Sequence, residues 1–75
     1  MSKEQQHKYP WHLAPDWAMW AATDEDGYAH WSDNKPEVCP FGYWTYDLLD
    51  LTREIGYFPE LRADWQNSLE KRPGT

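Results

Sequence analysis

The side chains best suited to chemistry are a single cysteine, three histidines and thirteen carboxylates. Cys39, His12 and His30 are zinc-type ligands, but they lack the close paired spacing of zinc sites. Cys39 with His30 could serve as nucleophile and base, yet no local sequence of a known cysteine enzyme surrounds the thiol. Asp24, Asp26 and Gly27 form a DxDG run like the start of a calcium loop. Such a loop closes with a bidentate glutamate at its twelfth position, and that place counted from Asp24 is Lys35. The run therefore reads as a turn. Glycine-rich phosphate loops, serine elbows and HExxH are missing. The expectation is a non-enzymatic protein with no metal and no cofactor.

What remains is recognition chemistry. Six Trp, five Tyr and two Phe dominate the apolar content, while Val38 and Ile55 are the sole β-branched aliphatics. Each buried ring contributes roughly 150–250 Å² of area, so a core of rings and leucines is expected. Aromatics that stay exposed can anchor a partner or stack on a ligand. The candidates for such a patch are Trp20, Tyr28, His30, Trp44 and Tyr46.

These residues must be positioned by strands. Residues 17–23 and 28–31 flank Asp24-Glu25-Asp26-Gly27, and Gly27 can take the positive φ that closes a three-residue hairpin loop. That loop pairs Asp24 with Tyr28, so Ala21 faces Trp31 and Ala22 faces His30. Alternation then places Trp17, Met19, Ala21, Ala29 and Trp31 on one face, taken as core, and Trp20, Ala22, Tyr28 and His30 on the other. Before the hairpin, Pro10 and Pro15 impose an extended lead-in whose Trp11 and Leu13 fold back onto the sheet. After it, residues 32–42 read as a loop, with Val38, Cys39 and Phe41 over one end of the core, and residues 43–46 as a third strand.

Residues 47–58 are ambiguous. Leu48, Leu51 and Ile55 fit a short helix capped by Asp47 and Gly56, the favoured reading, whereas 53–58 would serve as a fourth strand. Asp64 can cap a helical turn carrying Trp65 and Leu69, with Trp65 docking on the sheet. The fold class expected is α+β: a three- or four-stranded antiparallel sheet with one or two short helical segments. Residues 1–9 form a mobile tail, with His7 and His12 near its end solvated, and residues 10–73 form a single domain.

The net charge of −6 argues against binding phosphate backbones or anionic membranes. It allows a basic partner or a surface that mimics DNA, the acids gathering at 24–26 and again at Asp47, Asp50, Glu54, Glu60 and Asp64. One cysteine rules out an internal disulfide, no run reaches the ~20 apolar residues of a membrane span, and MSKEQQHKYP has no signal-type apolar stretch. A reducing cytoplasm is expected.

Trp17-Ala18, Ala21 and Ala22, Asp24-Glu25-Asp26-Gly27, Trp31, Lys35-Pro36-Glu37 and Gly42-Tyr43-Trp44 together resemble a group of small proteins of tailed bacteriophages. The ending Asp64-Trp65-Gln66-Asn67-Ser68-Leu69-Glu70-Lys71-Arg72-Pro73 is similar to that group as well, while residues 45–63 are outside the likeness. The resemblance implies a phage accessory protein in the cytoplasm of a bacterial host, and assigns no residue a role. Function is then expected to be interference with a host protein, without direct nucleic-acid or membrane contact and with homo-oligomers allowed. The alternatives are a DNA mimic, a protein that sequesters a nucleotide, and a virion assembly protein.

Overall fold

A computed structural model of the chain describes residues 7–74. Its main sheet is antiparallel and four-stranded, in the order β5-β2-β1-β6. The strands are β1 (Trp20–Thr23), β2 (Tyr28–Ser32), β5 (Thr52–Tyr57) and β6 (Glu70–Lys71). A separate hairpin pairs β3 (Glu37–Cys39) with β4 (Tyr43–Thr45). Among the described residues the helical content is 3₁₀, at Trp11–Leu13 and at Pro59–Asn67, the latter broken at Asp64.

The first hairpin has the expected register. Ala21 faces Trp31 and Ala22 faces His30. Asp24 N donates to Tyr28 O (3.0 Å), Gly27 N to Asp24 O (2.9 Å), and Gly27 has φ +95°. The turn also joins the other parts of the fold. Glu25 N donates to Gly42 O (2.8 Å) in the β3–β4 hairpin, and Phe58 N donates to Gly27 O (2.6 Å) at the end of β5. Arg62 Nε, in the second 3₁₀ segment, donates to Glu25 O (3.2 Å).

Both faces of the sheet are covered, because small alanines at its centre leave room for rings on either side. On one face Ala18, Ala21, Ala29 and Trp31 are buried with Tyr9, and Trp11, Trp17, Ile55 and Phe58 pack around them. On the other, Ala22 is buried beneath Trp44 and Trp65, flanked by Tyr46 and Leu69. At about 25 cal/mol per Å², a buried indole is worth about 4–6 kcal/mol of transfer free energy. A buried polar knot ties the two chain ends to β1. Tyr9 Oη pairs with Thr23 Oγ1 (2.7 Å) and donates to Ser68 O (3.0 Å), and Thr23 N donates to Ser68 Oγ (2.8 Å).

Several expectations are corrected. Residues 52–57 are a strand and not a helix. Leu48 and Leu49 are spent on a turn, so of the three helix-spaced residues only Ile55 packs, and the outer edge of β2 takes the strand as its partner. Tyr43–Thr45 does not join the main sheet; it pairs with Glu37–Cys39, inside the stretch read as loop. Val38 and Phe41 are exposed instead of covering the core, and so is Leu13, while Trp11 does fold back. The lead-in is a 3₁₀ turn, since Pro10 sits just before it and Leu13 N donates to Pro10 O (2.9 Å). Of the tail expected over 1–9, residues 1–6 lie outside the described residues, His7 is exposed and Tyr9 is a core ring.

Candidate functional site

The five aromatic and histidine residues singled out from sequence fall into three places. Trp20 is half-buried, with the Lys35 ammonium 5.6 Å from its ring centroid. Tyr28 is exposed and packs at a tilt against Tyr57 across β2 and β5, 5.0 Å between centroids. Trp44, Tyr46 and His30 gather over the second face. Trp44 is only 6% exposed and is used structurally. Its Nε1 donates to Thr23 O (2.9 Å), its backbone N to Asp24 Oδ1 (2.9 Å), and its ring meets Trp65 edge-on. Tyr46 packs edge-on to His30, 6.4 Å between centroids.

This cluster is polar but poorly satisfied. Tyr46 Oη and His30 Nδ1 are buried without hydrogen-bond partners. Burial pushes the Asp24 carboxyl above its usual range, against the pull of the Trp44 amide and the His30 ring. Burial, then the Asp24 charge, pushes the Tyr46 phenol well above its usual value. Tyr9 is raised too, again chiefly by burial. Raised phenols mean that the fold holds the neutral form. Their stabilisation is complete below the ordinary tyrosine pKa of about 10 and is lost as pH climbs past it. Tyr46→Phe should therefore move the onset of alkaline unfolding upward in a circular-dichroism titration. At pH 7 it should raise stability by about 1–3 kcal/mol, since a buried hydroxyl without a partner carries its full desolvation cost.

The chemical combinations considered from sequence are dispersed. Asp26 Oδ1 accepts Tyr28 N (3.0 Å), and Asp24 Oδ1 accepts Trp44 N, so the DxDG run is an ordered turn. Cys39 stands opposite Tyr43 in the β3–β4 hairpin, whereas His30 packs on Tyr46 and His12 is exposed. Among the described residues, no three His, Cys, Asp or Glu side chains converge on a metal position, and no helix is long and apolar enough to cross a membrane.

The exposed apolar surface lies elsewhere. Among the described residues nine large apolar side chains are exposed, and six fall between 38 and 51: Val38, Phe41, Tyr43, Leu48, Leu49 and Leu51. They belong to one arm, the β3–β4 hairpin and the turn after it. Between this arm and the β6 end of the sheet lies a cleft of about 520 Å³ with Val38, Trp44 and Leu69 in its walls and Lys35 and Glu37 beside them. The sequence reading missed Leu48 and Leu49 by assigning them to a helix. The signal was their bracketing by Asp47 and Asp50, since aspartate favours the first position of a turn.

No family model, no curated protein and no solved structure matches the chain.

Proposed function

We propose that this is a non-enzymatic binding protein that attaches to another protein through the arm 37–51. The observation that carries the reading is the concentration of six exposed apolar side chains on that arm. Large apolar side chains exposed together along one segment mark interaction sites more often than scattered single ones do. The setting proposed is the one the resemblance to small tailed-phage proteins implies: an accessory protein that interferes with a host protein in the bacterial cytoplasm. Its net charge of −6 disfavours direct contact with nucleic acid or with anionic lipid.

The DNA-mimic alternative gains less support. Asp24, Asp26, Asp33, Asp50, Asp64 and Glu70 each accept a hydrogen bond from a nearby backbone or side-chain group. Local turn contacts place Asp26, Asp50 and Asp64, and longer-range structural hydrogen bonds place Asp24, Asp33 and Glu70, so these six need no phosphate-like spacing to explain them. A nucleotide-sequestering role is disfavoured by the arm cleft, whose one basic residue, Lys35, is drawn over Trp20.

The test is capture from bacterial lysate by the full chain and by the triple variant Phe41→Ser, Leu48→Ser, Leu49→Ser. All three side chains are at least 84% exposed, so stability should stay within about 0.5 kcal/mol per site. A partner held by the arm should disappear from the variant's eluate, and retention of every captured protein would sink the reading. Homo-oligomers, which the sequence allows, would be seen by sedimentation of the same samples.

A further inference from the structure

We propose that the turn Leu48-Leu49 is the arm's anchor, and that it inserts into an apolar socket bordered by lysine or arginine side chains on a partner protein. This rests on the reading that the arm binds protein, and it names the contact and the chemistry of the partner.

The turn is ordered by hydrogen bonds and its residues are unusual. Asp50 N donates to Asp47 O (3.0 Å) and Asp47 N donates back to Asp50 Oδ2 (2.8 Å). Asn34 Nδ2 donates to the second oxygen of Asp50 (2.8 Å), and Leu51 N donates to Asp33 Oδ1 (3.1 Å). Four hydrogen bonds thus hold the turn, two within it and two tying it to Asp33 and Asn34. The residues so displayed are 96% and 92% exposed leucines. The middle of a turn favours Pro, Asn, Asp or Gly, each for a backbone reason that leucine does not share. A local rule broken without a packing gain points to function. A pre-ordered apolar tip also loses little freedom on docking.

Charge selects the partner. Asp33, Asp47 and Asp50 build the turn, while the neighbouring cations are drawn away from it. The Lys35 ammonium lies over the Trp20 ring, and the Arg53 guanidinium lies 5.8 Å from the Trp17 ring centroid. The leucines therefore project from a carboxylate collar, which is complementary to basic groups and repelled by an anionic lipid surface. A second copy of this chain fits poorly, because each copy carries a net charge of −6 and the acidic rim of one would meet the acidic surface of the other.

The experiment places a photo-crosslinking amino acid at position 49 of the full chain, with position 41 as a second probe site, and irradiates each in bacterial lysate. The result expected is one discrete protein labelled from position 49, on a segment of apolar residues bordered by Lys or Arg. Its yield should fall at least tenfold in Leu48→Ser, and severalfold between 50 and 300 mM salt, as screening of a charged rim requires. Labelling of this same chain, of lipid, or of a segment without basic residues overturns the proposal. If position 41 labels a discrete protein and position 49 does not, the anchor is wrong and the arm reading stands. If neither position labels a protein, both fall.

Discussion

Trp44→Ala is expected to lower the melting temperature by roughly 15–30 °C and to release the arm before the main sheet unfolds. Truncating a buried tryptophan to alanine costs about 3–5 kcal/mol, and for a domain of this size 1 kcal/mol shifts the midpoint by about 4–8 °C. Total stability at roughly 0.05–0.15 kcal/mol per residue is of the same order as that loss. The effect should be polarised, because Trp44 is the only buried residue of 37–51. The indole packs on Ala22 and Trp65, and the same residue makes two of the hydrogen bonds linking arm to hairpin. Amide exchange should therefore accelerate in 37–45 ahead of 20–32. Trp44→Phe keeps most of the apolar area and gives up the Nε1 donor, and should lose only about 1–2 kcal/mol. Uniform loss of protection across both sheets would show that the arm is not a separate unit. Lost binding in Trp44→Ala would then report folding and not contact, unlike Leu48→Ser, whose side chain supports nothing in the fold.

The contrast between these two residues marks how far the sequence could be read. The Asp24–Gly27 turn was legible because a short loop fixes register, and register fixes every cross-strand pair after it. The alternation of faces followed, and Ala21, Ala29 and Trp31 are core as expected. Docking of Trp65 on the sheet was expected and holds. Coverage of that face by Trp44 as well was not legible, because nothing local at Trp44 says which way its strand will turn. Residues 47–58 misled for another reason. Leu48, Leu51 and Ile55 have helical spacing, but periodicity cannot tell a buried stripe from an apolar pair held out on a turn. Tyr9 was missed because polar neighbours surround it, although its hydroxyl closes the buried knot with Thr23 and Ser68.

The second large effect is expected at Gly27. Gly27→Ala should destabilise by about 2–4 kcal/mol, combining a strained positive φ of order 1–3 kcal/mol with a steric clash. A Cβ built there would sit 2.7 Å from Tyr57 Cε1 and 3.0 Å from Arg62 Cγ. Neither neighbour can withdraw freely. The Tyr57 ring packs against Tyr28, and the Arg62 side chain is held by the Glu25 carbonyl. The backbones cannot separate either, since Phe58 N donates to Gly27 O at 2.6 Å. Two further variants divide the loss between its sources. Tyr57→Ala, at a half-exposed ring, should cost about 1 kcal/mol alone, and in its background Gly27→Ala should recover the Tyr57 share of the clash as a coupling of about 1–2 kcal/mol. Gly27→Asn carries the same Cβ but tolerates positive φ better. If backbone strain dominates, asparagine should be the milder substitution and the Tyr57→Ala background should rescue nothing. If the clash dominates, asparagine should be at least as damaging as alanine. Full stability in Gly27→Ala would mean that β5 and the Pro59–Asn67 segment do not close against this turn, and the junction that joins both sheets would have to be placed elsewhere.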